Sequence, residues 1–156
     1  MATIALRDIT TEEQDELRAM VAAYWAELVP DAPVARDPRR AAAYFAEHFR
    51  FGDDTVSLWW AMADAARVGF VRVERWIAED ERGRFIRDFY VRSDARRQGV
   101  GTAVVRAIRA VAERDGWVRI DLNVRADNPG GLAFWRSQGF GLQLYQLRQY
   151  VARDAR

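Results

Sequence analysis

Cysteine is absent from the 156 residues, lysine is absent too, and histidine occurs once, at His48. Without cysteine there is no disulfide, no thiolate nucleophile and no cysteine-ligated metal. A single histidine excludes a histidine-rich metal site, and no metal is expected. The lack of lysine removes a common catalytic base, Schiff-base former and internal acetylation target. All 24 basic residues are arginine, so anions must be held by guanidinium forks or by backbone amides. An excess of one sign of charge is missing as well. The formal net charge is +1, which argues against strong attraction to nucleic acid or a membrane surface. No apolar run approaches the length of a membrane span, and the N-terminus lacks a signal-peptide pattern. A cytoplasmic location is the resulting expectation. Repeats, low-complexity tracts and linkers are also missing, so residues 1–156 are expected to form one domain, burying about 70% of its unfolded surface.

What is present alternates between helical and strand periodicities. Residues 3–7 read as a first strand, and Thr10 or Thr11 as a helix cap followed by acids. Leu17, Met20, Val21, Tyr24, Trp25 and Leu28 then recur at helical spacing until Pro30, Asp31 and Pro33 end the helix. A loop follows, with Glu27, Asp31 and Asp37 placed to line a cleft or simply to be solvated. A second helix is expected from Pro38 to about Phe49, with Ala42, Phe45 and Phe49 inward and His48 on its surface. Residues 56–62, 68–76 and 85–91 are apolar stretches joined by short turns, which predicts an antiparallel meander with a charged hairpin tip at 79–84. Trp25, Trp59, Trp60 and Trp76 are core residues or the lining of an apolar pocket.

The stretch that organises the chain is 85–103, FIRDFYVRSDARRQGVGTA. An aromatic strand passes through a polar turn into a glycine-punctuated opening of a helix that carries Val100, Ala103, Val104, Ala107, Ile108 and Val111 on one face. Such a junction concentrates unpaired N–H groups and a positive helix end, which is how a protein holds a phosphate. Two glycines alone are weak evidence. A dinucleotide fingerprint needs a third glycine where Val104 stands, and a nucleotide-triphosphate loop needs the lysine this chain lacks. Gly116 ends the helix, residues 117–124 read as a strand, and the strand–helix–strand unit is expected to be a right-handed parallel crossover. Asn128 and Pro129 cap a short helix ended by Gly139, residues 142–151 read as a last strand, and the tail 152–156 as frayed.

Arg96-Arg97-Gln98-Gly99-Val100-Gly101 resembles the Gln/Arg-x-x-Gly-x-Gly/Ala motif of the GNAT superfamily of acyl-CoA-dependent N-acetyltransferases. Asn128 and Phe134-Trp135-Arg136-Ser137-Gln138-Gly139-Phe140 resemble that family's Asn and its Phe-Tyr-x-x-x-Gly-Phe segment. The resemblance implies an α+β fold: a mixed, mostly antiparallel sheet with one parallel strand–helix–strand unit and splayed strands, flanked by about four helices. It implies acetyl-CoA as co-substrate and an amine acceptor, with a small molecule first in view and a peptide N-terminus as the alternative. Arg96, Arg97, Gln98, Gly99, Val100, Gly101 and Thr102 would hold the pyrophosphate, and Arg92, Arg96 or Arg97 could reach the 3′-phosphate. Backbone amides near Tyr90 and Val91 would hold the pantetheine arm, with Asn128 and Trp135 beside it. A monomer or a homodimer would each be ordinary for the family.

Two departures bear on chemistry. Trp135 occupies the position of a tyrosine that protonates the departing thiolate in many members, leaving Tyr90 and Tyr145 as substitutes to test. Arg87-Asp88 replaces a Glu-Asp pair. Asp88 is thus the leading candidate base, an ion pair with a neighbouring arginine being the alternative, and Glu74 is the weaker candidate. Arg87 facing the cleft would suit an acceptor carrying an anionic group. A CoA-binding sensor with little turnover is the non-enzymatic reading.

Overall fold

The apolar stretches between residues 56 and 91 form the expected antiparallel meander of β2 (Val56–Ala63), β3 (Ala66–Trp76) and β4 (Gly83–Val91). In this computed structural model, residues 2–76 and 82–151 are described. Residues 79–81 of the expected hairpin tip, the side chain of Trp76 and the tail 152–156 fall outside that description. β1 (Ile4–Asp8) adds antiparallel to β2, and β5 (Arg119–Leu122) adds parallel to β4, giving the order β1-β2-β3-β4-β5. The helices are α1 (Gln14–Leu28), α2 (Pro33–Arg36), α3 (Pro38–His48), α4 (Val100–Arg114) and α5 (Pro129–Ser137). This is the α+β, mostly antiparallel architecture with one parallel β–α–β unit that the sequence predicts.

The chain divides into the units Met1–Asn123 and Val124–Arg156. In the first, a capping box starts the helical region: Thr10 caps the turn Thr11–Glu13, and Glu13 returns a carboxylate to the Thr10 N–H at 3.1 Å. The α1 stripe buries Leu17, Val21 and Trp25 on a sheet face that carries Val56, Leu58, Trp60, Phe70 and Tyr90, with Phe45 and Phe49 completing the cluster. Trp59, Ala61, Val71 and Val73 alternate to the other side of the strands and are buried as well. Trp25, Trp59 and Trp60 are thus core residues. The loop expected after α1 contains one unforeseen helical turn, α2. Pro33 pre-sets its first residue, and Arg36 Nε closes it onto the Pro30 carbonyl at 3.1 Å.

β4 carries two features that shape its surroundings. The register runs from Arg72↔Asp88 to Val73↔Ile86, leaving Arg87 as the extra residue of a bulge. Three rungs beyond Arg72↔Asp88, Gly69 faces Val91 so closely that a Cβ at residue 69 would lie 2.0 Å from the Tyr90 carbonyl oxygen. Only glycine fits there.

In the second unit, Asn128 Oδ1 accepts from the Gly131 N–H at 2.9 Å to cap α5, and Gly139 closes it with a φ of 85°. Trp135 is buried, edge-on to Phe134 and to Phe140 at 5.1 Å each. The last strand expected at 142–151 does not form: residues 141–151 carry no secondary structure. The apolar spacing explains it. Leu142 and Leu144 are two apart, but Leu147 and Tyr150 follow at intervals of three, so no single strand face collects them.

Candidate active site

β4 and β5 pair only from Gly83↔Arg119 to Ile86↔Leu122. Beyond Ile86, residues 87–91 of β4 have no β5 partner among the described residues. The expected strand 117–124 is trimmed to Arg119–Leu122, and this early end splays the two parallel strands. Backbone direction on the open edge follows from neighbouring bonds. The Arg92 N–H donates to the Val68 carbonyl at 2.8 Å, and the Tyr90 carbonyl faces Gly69, so both residues turn toward β3. Val91, between them, turns its N–H and carbonyl to the unpaired edge.

The turn after β4 is built from backbone rather than side chains. A 3-10 turn at Ser93–Ala95 leads to Arg96 in an extended conformation, then to Arg97 with φ 60° and Gly99 with φ 77°. Gly99 is the N-cap of α4 and makes no side-chain cap. A helix normally spends a Ser, Thr or Asp on its first N–H groups; the N-cap of α4 has no side chain to spend. Gln98 steadies the turn by donating to the Asp94 carbonyl at 3.2 Å. Arg97 is exposed, while Arg92 is paired with Asp94 at 2.6 Å. Arg96 folds back instead of outward: its Nε donates to the Val91 carbonyl at 2.7 Å, and its guanidinium pairs with Glu27 near the end of α1. Hydrogen bonding to Glu27 raises the Arg96 pKa further. A turn with a bare N-cap, set beside an unpaired strand edge, fits a cofactor that bears a pyrophosphate and a strand-like arm.

On the sheet face beneath α1 and α3, charge is organised differently. Arg72 and Asp88 are 3% and 6% exposed and meet Nε to Oδ2 at 2.6 Å. Arg72 also donates to Glu74 at 2.7 Å and to the His48 carbonyl at 3.1 Å, and Glu74 accepts from Arg87 Nε at 2.7 Å. The result is an alternating row, Asp88–Arg72–Glu74–Arg87, running from buried to half-exposed. Two tyrosines border it. Burial raises the Tyr24 pKa first and the negative Asp88 raises it further; burial also raises that of Tyr44. His48 ends α3 with its ring on Tyr44, centroids 4.1 Å apart. Of the alternatives for Asp88, the ion pair is the one observed. Arg87 faces Glu74 and sits over the Phe85 ring at 4.0 Å.

The structure thus gathers Asp88, Tyr90, Val91 and the turn Arg96–Thr102 at one end of β4 and the start of α4. Tyr90 is buried against Tyr24 and Phe70, its hydroxyl directed at Glu27 at 3.4 Å, and burial raises its pKa. Asn128, Trp135 and Tyr145 belong to the second unit, where Tyr145 is 82% exposed. Sequence reasoning passed over Arg72. Its signal was an inward position: Phe70, Arg72 and Glu74 share one face of β3, and a charge on that face calls for an opposite charge beside it.

The family model for the acetyltransferase (GNAT) family matches residues 16–140. The chain belongs to the GNAT acetyltransferase family. No curated protein sequence matches it. Among solved structures, the Bacillus subtilis protein YycN shares the fold at a TM-score of 0.76 and 20% identity, over 97% of this chain and 100% of that one. The aminoglycoside N-acetyltransferase AAC(6')-Iy, solved with CoA, aligns at 0.67 and 17% identity over 98% and 97%. The aminoglycoside acetyltransferase meta-AAC0020 from an uncultured soil metagenomic sample, solved with sisomicin, aligns at 0.70 and 14% identity over 96% and 97%. At these identities the likeness is one of fold. Among the described residues no helix is long and apolar enough to cross a membrane.

Proposed function

We propose that this GNAT member acts as a single N-acetyltransferase domain that moves an acetyl group from acetyl-CoA to the amine of a small molecule by direct attack. The observation that carries the reading is the unpaired edge of β4 running straight into a turn whose helix has no side-chain cap. The family match across 16–140 spans both units, and CoA- and aminoglycoside-bound neighbours share the fold.

When bound, acetyl-CoA would supply an already activated thioester. The chain's own work is then positioning and electrostatics. The turn Arg96–Thr102 holds the pyrophosphate, with Arg97 the exposed guanidinium on it, and the Val91 N–H is the donor on the open edge. Asn128 and Trp135 join the cofactor set on the family resemblance. Asp88 is the group to receive the amine's proton, directly or through water. Arg72 Nε occupies its Oδ2 at 2.6 Å, so Asp88 is placed to orient an amine that arrives neutral. The pH–rate profile should accordingly rise with the acceptor's own pKa. Trp135 has no proton to give, and an ordinary thiol pKa of ~8.5 makes a proton donor optional. Where a donor does act, its loss costs ~10²–10⁴-fold, so Tyr90→Phe and Tyr145→Phe identify it by a drop of that size. A CoA-binding sensor is the competing reading, favoured by the locking of Asp88 to Arg72.

The test is calorimetric titration with acetyl-CoA, with Gly101→Glu as control, followed by thiol release on sisomicin, spermidine, an amino acid and a short peptide. One-to-one binding that the variant abolishes, with thiol release on one of the small amines, supports the proposal. Binding without release on any amine favours the sensor, release on the peptide alone moves the acceptor class, and no binding overturns the reading.

A further inference from the structure

Glu27 stands where helix electrostatics disfavours it. It lies in the last turn of α1, which holds no basic residue, so its charge opposes the helix dipole. What holds it is a closed set of contacts outside the helix. One carboxylate oxygen pairs with Arg96, and the other accepts from the Tyr90 hydroxyl at 3.4 Å. Arg96 in turn donates to the Val91 carbonyl at 2.7 Å and lies over the Tyr90 ring, 5.5 Å from its centroid. The ring of contacts Glu27–Arg96–Val91–Tyr90 ties the end of α1 to the last residues of β4 and to the first residue of the turn.

The next residue explains why such a tie is needed. Arg97 has φ 60° without being glycine, a conformation that persists only where the surroundings over-determine it. If Arg96 let go, residue 97 could relax and the turn's N–H groups would lose their common direction. We propose that Glu27 is a positioning residue for the phosphate-binding turn: through Arg96 it keeps the turn's backbone aimed at the cofactor's phosphates, although it touches no phosphate itself. The inference rests on the acetyl-CoA reading and deepens it, because it makes the end of α1 part of the cofactor site.

A phosphate-specific role has a phosphate-specific test. Affinities of wild type, Glu27→Gln, Arg96→Ala and the double variant are measured by calorimetry for CoA, which carries the phosphates, and for pantetheine, which lacks them. The expected result is CoA affinity about tenfold weaker in each single variant, no further loss in the double variant, and pantetheine affinity weakened far less. Glu27→Asp should recover part of the loss. Glu27→Gln binding CoA within twofold of wild type overturns the inference, as does equal weakening for CoA and pantetheine, which would mark a general loosening of α1. The two readings fail differently. A wild type that binds no CoA takes both down, whereas a wild type that binds beside an indifferent Glu27→Gln removes only the role of Glu27.

Discussion

The turn after β4 and the charged row that β3 and β4 carry under α1 and α3 solve opposite problems. The turn has glycine rather than a capping side chain at the N-cap of α4 and holds Arg97 in a left-handed conformation, which on the proposed reading presents polar backbone to a ligand. The row buries two charges, Arg72 and Asp88, and matches each member with the next: Asp88 with Arg72, Arg72 with Glu74, Glu74 with the half-exposed Arg87. One is a site defined by what it leaves open. The other is defined by what it closes, and any chemistry at Asp88 must work against that closure.

The comparison breaks most severely at Asp88. Asp88→Ala leaves Arg72 buried with Glu74 as its remaining carboxylate, and removing one member of a buried pair costs about 3–5 kcal/mol. Urea denaturation should show that loss. Arg72→Met with Asp88→Leu should recover most of it, and activity in that double variant would show that the row is architectural rather than catalytic. A stable Asp88→Ala would mean the row is not closed.

Next in size is Gly69→Ala. A methyl group 2.0 Å from the Tyr90 carbonyl must push β3 and β4 apart, an overpacking cost of about 1–3 kcal/mol. Because the shift falls at Tyr90 and Val91, acetyl-CoA affinity should fall along with the melting temperature. A fall in stability alone would separate the open edge from cofactor binding.

A third test uses pH, at the other end of α1. The Glu13 carboxyl is pulled down to about 2 from its usual 4.5, chiefly by hydrogen bonding to Arg7, with help from the Thr10 N–H and the Trp60 indole. A depressed folded-state pKa stabilises the fold above the unfolded value and is lost as pH falls toward the folded one. The melting temperature should therefore drop between about pH 4.5 and pH 2. Glu13→Gln should be less stable at neutral pH and flatter across that window. An unchanged slope in Glu13→Gln would assign the acid sensitivity elsewhere.

The smallest effect expected is at Arg97. Replacing it with glycine removes the left-handed penalty while freeing the unfolded chain, a net change within about 1 kcal/mol. Acetyl-CoA affinity should fall more than stability moves, since the exposed guanidinium is lost. The reverse would make residue 97 a purely conformational part of the turn.

How much of this was legible in the chain depended on whether the cause was local. The turn could be read because Gly99, which takes a φ of 77°, lies with Gly101 and the arginines within six consecutive residues. Helix α5 was equally plain, since Asn128 and Pro129 carry the cap within themselves. The row on β3 and β4 was only half visible. Asp88 drew notice by its place beside the motif, but its partner Arg72 lies sixteen residues away and becomes a partner only when the register sets β3 against β4. Glu27 could be seen as a loop-side acid, with nothing to say that Arg96 would fold back to it. The missing strand at 142–151 was misread because its composition suited a strand while its spacing did not.

The sequence by itself determined the element order apart from α2 and the absent last strand, the glycine-bearing turn and the family, because each rests on neighbours along the chain. Tertiary structure decided which side of Val91 is open, which arginine is spent on a carboxylate and which carboxylate is locked. Those outcomes depend on strand register and on where one helix ends against another, and no stretch of residues carries that information alone.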